Sequence, residues 1–357
     1  MEKLILVNPF CPEEKKHERL DMITKYSLEG CDYHEIKTVE EMMSMDLRNR
    51  KILFTISLGK SGINLTWYGI MKYLRLNHDA LEGSVGGVIL DGDCEFYTKS
   101  TGRSMVFTAN RAGCTFPGRP LVEGTRTLEN YNIQARNQGT DNIGAYMNAG
   151  RELVRNITEY KKPEIKNPRL LMLHAGSSAT SNSLALWEMV KRNLQGFYFE
   201  EVSLRNGEIY DCRGCSYDTC RHFGEEGGCF YGGPIVEQIY PAILKCDGLV
   251  MVCPNYNDAL GANLTAFINR MTALFTTHRF YEKSLFGVIV SGYSGSDIVA
   301  QQLISGLNMN KTFALPGKFA ILETANNPMA ITLSEGIDER ARAFARNMRK
   351  RLTRAAD

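Results

Sequence analysis

Four cysteines share one short loop, DCRGCSYDTCRHFGEEGGC (residues 211–229), at the spacing Cys-x2-Cys-x4-Cys-x8-Cys: Cys212, Cys215, Cys220 and Cys229. Thiolates gathered this way can ligate an iron–sulfur cluster or a tetrahedral zinc ion, can pair as disulfides, or can stay bare. Gly214, Gly224, Gly227 and Gly228 give the backbone the freedom that wrapping a metal centre requires. His222 sits in the same loop and could replace one sulfur ligand, although a loop histidine is more often a solvent-exposed one.

Three further loops carry polar chemistry, each directly after an apolar run. HAGSSATSNS (174–183) opens into a helical pattern, where free backbone N–H groups and the positive end of the helix dipole face one point. Gly176 allows close approach, and Ser177, Thr180, Ser181, Asn182 and Ser183 supply hydroxyl and amide groups with no lysine or arginine among them. Such a loop either holds a phosphate through neutral donors or is a plain N-cap. The next loop favours the first. In CPNYNDALGANLTAFINR (253–270), Pro254 and Gly261 shape a turn while Asn255, Tyr256, Asn257 and Asp258 offer polar edges and one aromatic face. SGYSGSD (291–297) adds Ser291, Gly292 and Tyr293. One anion-friendly loop and two that can border a planar ring describe a pocket for flavin mononucleotide, FMN, at the carboxyl edge of an α/β sheet.

Strands and helices must hold those loops. From residue 168, RLLMLHAG, FYFEEVSL, DGLVMVCPN, LFGVIVSGY and GKFAILETA read as strands. SLALWEMVKRNL, IVEQIYPAILKC (bent at Pro241), LTAFINRMTALF and DIVAQQLISGLNM read as the helices between them. That alternation predicts a mainly parallel sheet covered on both faces. The charged, proline-bearing ITEYKKPEIKNPR (157–169) marks a boundary. Before it, LILVNPF, KILFTISLG and SVGGVILDG read as strands, and WYGIMKYLRL and the region around NIGAYMNAGRELVRNI as helices. The expected organisation is an α/β domain of unassigned role over 1–160, a doubly wound α/β domain over 168–330, and a basic, solvated amphipathic helix over 331–357. No internal repeat stands out.

At 357 residues the chain favours two domains over one. It is 43% hydrophobic and 23% charged with a net charge of +2, which gives no global argument for nucleic-acid or membrane binding. The opening MEKLILVNPFCPEEKKHE does not read as a signal peptide, and no apolar run reaches bilayer-spanning length. The expected compartment is the cytoplasm, whose reducing conditions weaken the disulfide reading. Cys11, Cys31, Cys94, Cys114, Cys246 and Cys253 are scattered and read as small buried hydrophobes. LGKSG (58–62) follows a strand, but the position where a phosphate-binding P-loop requires glycine is Phe54. DGDCE (91–95) has too few spaced carboxylates for calcium, and no GxGxxG fingerprint occurs. The glycine- and arginine-rich NRAGCTFPGRPLVEGT (110–125) suits a pocket lining and an interface equally.

Residues 168–330 resemble the NADPH-dependent FMN reductase and iron–sulfur flavoprotein branch of the flavodoxin-like superfamily. Three features carry this, in order: the Gly-Ser…Ser-Asn-Ser loop after the first strand, the Cys-x-x-Cys cluster after the second, and Pro-x-Tyr…Phe-Ile-x-Arg after the third. The resemblance implies FMN with its phosphate at Ser177, Ser181, Asn182 and Ser183, and its ring beside Pro254, Asn255, Tyr256 and Asn257, bordered by Ser291, Gly292 and Tyr293. It further implies a 4Fe–4S cluster on Cys212, Cys215, Cys220 and Cys229, ranked ahead of bare thiols and of zinc. Two positions depart from the family pattern: Ala179 stands where an arginine is common, and Asn269 replaces the aspartate that usually precedes Arg270. The expectation is a flavodoxin-like, cytoplasmic, homo-oligomeric oxidoreductase. It would move electrons between NAD(P)H or a ferredoxin-type donor and a small-molecule acceptor. A cluster-free FMN or quinone reductase and a zinc-stabilised interaction module stand as alternatives.

Overall fold

The computed structural model describes residues 3–9, 18–205 and 209–354, so Cys11 lies outside the described residues. The chain divides into two compact units, Met1–Lys161 and Lys162–Asp357. Among the described residues no helix is long and apolar enough to cross a membrane.

The first unit has strands β1 (Leu4–Val7), β2 (Tyr33–Ile36), β3 (Lys51–Leu58), β4 (Val85–Gly92) and β5 (Leu121–Gly124). They form one parallel sheet in the order β2-β1-β3-β4-β5. Helices α1 (Glu18–Ser27), α2 (Val39–Ser44), α3 (Leu65–Leu76), α4 (Thr98–Arg111), α5 (Asn132–Gln138) and α6 (Asn142–Glu159) connect and cover it. β3 and β4 are mostly apolar and buried along nearly their whole length, because both faces of a parallel strand are covered. On α6, Ala145, Tyr146, Leu153, Val154 and Ile157 form the buried stripe that packs on them. The 110–125 segment is core and strand, not a surface: Cys114 and Phe116 are fully buried, and Asn110 Nδ2 donates to the Cys114 carbonyl at 3.0 Å.

The second unit has β6 (Arg169–His174), β7 (Tyr198–Ser203), β8 (Gly248–Pro254), β9 (Ser284–Ser291) and β10 (Ala320–Thr324), ordered β10-β9-β8-β6-β7 and all parallel. Its helices are α7 (Asn182–Lys191), α8 (Tyr217–Glu225), α9 (Tyr240–Lys245), α10 (Ala262–Phe275), α11 (Ser296–Leu303) and α12 (Ile337–Leu352). Pro241 is the second residue of α9 and directly follows a π-helical turn over Ile235–Ile239, where the backbone hydrogen-bond pattern already departs from the α-helical one. The tail helix is only half solvated. Ile337, Ala341, Phe344, Ala345, Met348 and Leu352 of α12 enter the core beside Trp187 and Val190 of α7.

Counted along the chain, both sheets have the order 2-1-3-4-5, the flavodoxin-like winding. The pairings repeat as well. Val88↔Leu121 and Leu90↔Glu123 in the first sheet match Val288↔Ile321 and Val290↔Glu323 in the second. Ser84, Gly87, Val88, Ile89 and Gly92 recur as Ser284, Gly287, Val288, Ile289 and Gly292. The chain therefore holds one fold twice, which corrects the expectation that it has no repeat. The shared positions are apolar strand residues and glycines, while the chemistry-bearing loops differ.

Candidate functional site

A cleft of about 760 Å³ opens at the carboxyl edge of the second sheet, around the β6/β8 pair where the strand order reverses. That is where ligands bind doubly wound sheets. The loop after β6 forms its first wall. The Ser177 carbonyl accepts from the backbone N–H groups of Thr180 (3.2 Å) and Ser181 (2.9 Å), and the N-cap Ser181 Oγ accepts from Leu184 N–H at 3.3 Å. α7 thus presents its N-terminal dipole end to the cleft. Asn182 is a brace: its Nδ2 donates to the Ala325 and Asn327 carbonyls (3.0 and 2.9 Å) and its Oδ1 accepts from Ile331 N–H. Ser183 is 1% exposed, lines the cleft, and has no hydrogen-bond partner for its Oγ.

The loops after β8 and β9 form the opposite wall. Tyr256 and Ala259 exchange backbone hydrogen bonds (3.2 and 3.1 Å) across Asn257 and Asp258, which both have positive φ (53° and 58°), a two-residue type I′ turn. Asn and Asp are the side-chain-bearing residues that tolerate this best. Asn255 clamps this turn to its neighbour: Nδ2 lies 3.2 Å from Asp258 Oδ1, 3.1 Å from Ser291 Oγ and 3.0 Å from the Ser294 carbonyl. Its buried Oδ1 has no partner. Tyr256 and Tyr293 are 57% and 79% exposed, and Asn326 Nδ2 donates to the Tyr293 hydroxyl at 3.0 Å.

The cleft gathers all the residues expected on it except one: Ser177, Thr180, Ser181, Asn182, Ser183, Pro254, Asn255, Tyr256, Asn257, Asp258, Gly292 and Tyr293 line it. Ser291 is fully buried and shares its hydroxyl with Ser296 Oγ (2.7 Å), so it supports Asn255 from below. Sequence reasoning missed Arg205, Ser294 and Asn326. Arg205 follows β7 by two residues, a strand-end position whose significance is hidden until the strand order is known. It brings a positive charge to a cleft whose other lining residues, Asp258 apart, are neutral. His174, at the end of β6, stays on the neutral side: burial pushes its imidazole pKa down, against the pull of Glu201 Oε1 at 3.4 Å.

The cysteine loop frames a second cavity of about 300 Å³, lined by Cys212, Cys215, Cys220 and Cys229 together with Phe223, Phe230, Tyr231, Asn269 and Arg270. α8 packs so tightly on α10 that a Cβ on Gly224 would lie 2.2 Å from Thr276 Oγ1, so this glycine serves helix contact and not loop freedom. Burial first, then the neighbouring thiols of Cys229, Cys212 and Cys215, pushes the Cys220 thiol pKa up. Among the described residues, however, no three His, Cys, Asp or Glu side chains converge as ligands of a single ion. Four sulfurs on one zinc ion would stand about 3.8 Å apart given bonds near 2.3 Å. A ring of thiols around a cavity is a different arrangement, and the zinc reading is set aside. His222 faces Glu226 (3.7 Å) and does not line the cavity. Of the scattered cysteines, Cys114, Cys246 and Cys253 are buried, with burial pushing the Cys246 thiol up to about 12, while Cys31 and Cys94 are half-buried.

Residues 168–327 match the family model described as NADPH-dependent FMN reductase. No curated protein matches the chain. Solved structures similar to its C-terminal half include an NAD(P)H:quinone oxidoreductase from Methanothermobacter marburgensis (16% identity, 51% of this chain and 99% of that one, TM-score 0.39). An FMN-dependent NADH-azoreductase from Bacillus anthracis in complex with FMN is also similar (9% identity, 51% and 99%, TM-score 0.34). So is a Trp repressor binding protein from Bacillus subtilis (18% identity, 49% and 98%, TM-score 0.32).

Proposed function

We propose, from the FMN reductase match over residues 168–327, that this chain is an NAD(P)H-dependent flavoprotein oxidoreductase with one FMN on the carboxyl edge of its second sheet. The observation that carries the site is the pair of buried, unpartnered polar atoms on residues that line one cleft, Ser183 Oγ and Asn255 Oδ1. Orphaned buried groups of this kind are costly unless a ligand completes them. Ser177, Thr180, Ser181 and Ser183 would hold the phosphate at the N-terminus of α7, with Arg205 balancing its charge. Pro254, Asn255, Tyr256, Asn257 and Asp258 would border one side of the ring, and Gly292 and Tyr293 the other. Asn182 and Ser291 act by bracing these loops. FMN supplies the redox chemistry, accepting electrons in pairs from NAD(P)H and passing them to a small-molecule acceptor. The protein's part is to bind the cofactor and orient it.

Ser183→Ala tests the phosphate assignment through two readouts of opposite sign. Removing a buried orphan hydroxyl should leave the apo-protein as stable or more stable, by up to about 1 kcal/mol. It should weaken FMN about tenfold, as loss of one charge-assisted hydrogen bond would. Apo-protein melting and fluorescence titration with FMN measure the two. Unchanged FMN affinity would remove Ser183 from the site.

The cysteine loop is proposed to hold a 4Fe–4S cluster, exchanging single electrons with a ferredoxin-type donor. The support is the common cavity: four thiols line it, and the residues present fit a group wider than one ion. A cluster-free FMN or quinone reductase is the second reading, favoured by the lack of a converged ligand set among the described residues. The visible spectrum of anaerobically purified protein separates them, since a cluster adds broad, dithionite-bleachable absorbance beneath the flavin bands. Iron and sulfide analysis should give one cluster and one FMN per chain. Cys215→Ser should remove the iron and leave FMN bound. Flavin alone in the wild type would favour the second reading, and two FMN per chain would contradict the single site. In the first unit, Arg19 bonds Asp91 and the Gly92, Thr125 and Arg126 carbonyls at the equivalent edge, a charge arrangement unlike that of the second unit's cleft. The four reduced thiols fit a cytoplasmic protein, and the exposed Tyr256 and Tyr293 fit a pocket completed by a second copy of the chain.

A further inference from the structure

The thiol cavity contains a cation that the reading above does not use. Arg270, on α10, is 2% exposed. Its Nη2 donates to the Gly232 carbonyl at 2.7 Å and its Nη1 reaches the Tyr210 carbonyl at 3.4 Å, while its Nε has no partner. Both partners are neutral backbone groups. The adjacent Asn269 is an amide, and its Nδ2 donates to Asp211 Oδ1 (2.9 Å), which also accepts from the Cys212 backbone N–H (2.6 Å). A guanidinium cannot shed its proton in a protein, so burial keeps the charge and removes the water.

The cavity beside it repeats the imbalance. Its lining holds four thiols and two guanidinium groups, Arg213 and Arg270, and no Asp or Glu. Buried charges are retained where an opposite charge answers them. With protonated thiols nothing in the lining answers Arg270. Thiolates bound to a cluster would, because such a centre carries net negative charge.

We propose that Arg270 is the buried counter-charge of the anionic centre held by Cys212, Cys215, Cys220 and Cys229, and raises its reduction potential. This rests on the cluster reading above. Taking up one electron from dithionite makes the cluster one unit more negative and breaks no bond. A fixed positive charge beside the cavity therefore stabilises the reduced form more than the oxidised one. Arg270 is a positioning residue in this role, acting on the cluster's charge and not on substrate. At interior separations of several ångströms the attraction between unit charges is strong enough to change the reduced-to-oxidised ratio at least about tenfold at a set potential. For a one-electron couple, tenfold corresponds to about 59 mV.

The test is a dithionite titration with mediator dyes, followed by electron paramagnetic resonance, on full-length protein purified anaerobically with its FMN. Arg270→Gln should lower the midpoint potential by about 59 mV or more at unchanged iron and FMN content. Arg270→Lys, which keeps the charge, should restore most of the shift. Arg213→Gln should change it little, because Arg213 is exposed and water screens it. A wild-type potential in Arg270→Gln, with the cluster present, overturns the proposal while leaving the cluster reading intact. Wild-type protein free of iron and sulfide overturns both. If Arg270→Gln loses iron but keeps FMN, Arg270→Lys decides: a retained cluster near the wild-type potential supports a charge role, and its loss there too overturns it.

Discussion

Gly295→Val should abolish useful flavin binding, raising the FMN dissociation constant about a hundredfold, while Gly261→Ala should leave it unchanged. Gly295 caps α11 at φ 91°, a conformation that side-chain-bearing residues rarely adopt. A Cβ there would stand 2.1 Å from Asp258 Oδ1 and 2.7 Å from Asn255 Nδ2, atoms that tie the two ring-bordering loops together. Both are side-chain ends, and moving them aside breaks the Asn255–Asp258 hydrogen bond. The combined backbone strain and displaced clamp amount to about 3 kcal/mol, which is the hundredfold. Gly261 is the contrast. Its φ is −56°, and a Cβ would meet only the Tyr256 ring at an ordinary 3.8 Å. Equilibrium dialysis of FMN against both variants checks the pair. Flavin retained by Gly295→Val would mean that the cleft between these loops is not where the ring sits.

This pair also shows what the sequence could and could not convey. Both glycines sit in loops that looked important, and Gly261 was expected to shape its turn. Only backbone angles reveal that Gly295 is irreplaceable and Gly261 is not. The long buried strands, β3, β4, β8 and β9, were legible because mostly apolar runs leave few other readings. The edge strands β2 (YHEI) and β5 (LVEG) were not, because four mixed residues carry no periodicity. The cleft was legible because a doubly wound sheet brings all its strand-end loops to one edge, so loop order alone placed Ser177 near Tyr256 and Tyr293. Side-chain direction was not. Asn182 and Ser291 have the right chemistry and address, yet their polar atoms are engaged by Ala325, Asn327, Ile331 and Ser296. In the sequence Arg270 was only the last residue of a family motif, and its meaning required its burial and a cavity lining that holds no Asp or Glu.

The duplicated fold explains the second large effect, which concerns stability instead of binding. Arg19→Met should destabilise the first unit by about 3–5 kcal/mol, the cost of leaving a buried carboxylate without its cation. Arg19 Nε lies 2.8 Å from Asp91 Oδ2 and its Nη2 3.0 Å from Asp91 Oδ1, a bidentate pair in which the Asp91 side chain is 1% exposed. The same guanidinium donates to the Gly92, Thr125 and Arg126 carbonyls, tying α1 to the ends of β4 and β5. In the second unit Asn182 of α7 makes the corresponding link to Ala325 and Asn327 beyond β10, and Ser291 stands where Asp91 does. One copy thus joins its strand ends through neutral groups beside a cleft, the other through an ion pair. A loss of 3–5 kcal/mol is a large part of the roughly 5–15 kcal/mol that stabilises a domain, so the variant should unfold at much lower urea. Each unit has one buried tryptophan, Trp67 and Trp187, so a Trp187→Phe background makes fluorescence report the first unit alone. Adding Asp91→Asn should recover most of the loss, because an amide at that position no longer needs a countercharge. FMN content should not change in either variant. An unchanged urea midpoint for Arg19→Met, or a double variant no more stable than the single one, would show that the pair does not stabilise this edge by its charge.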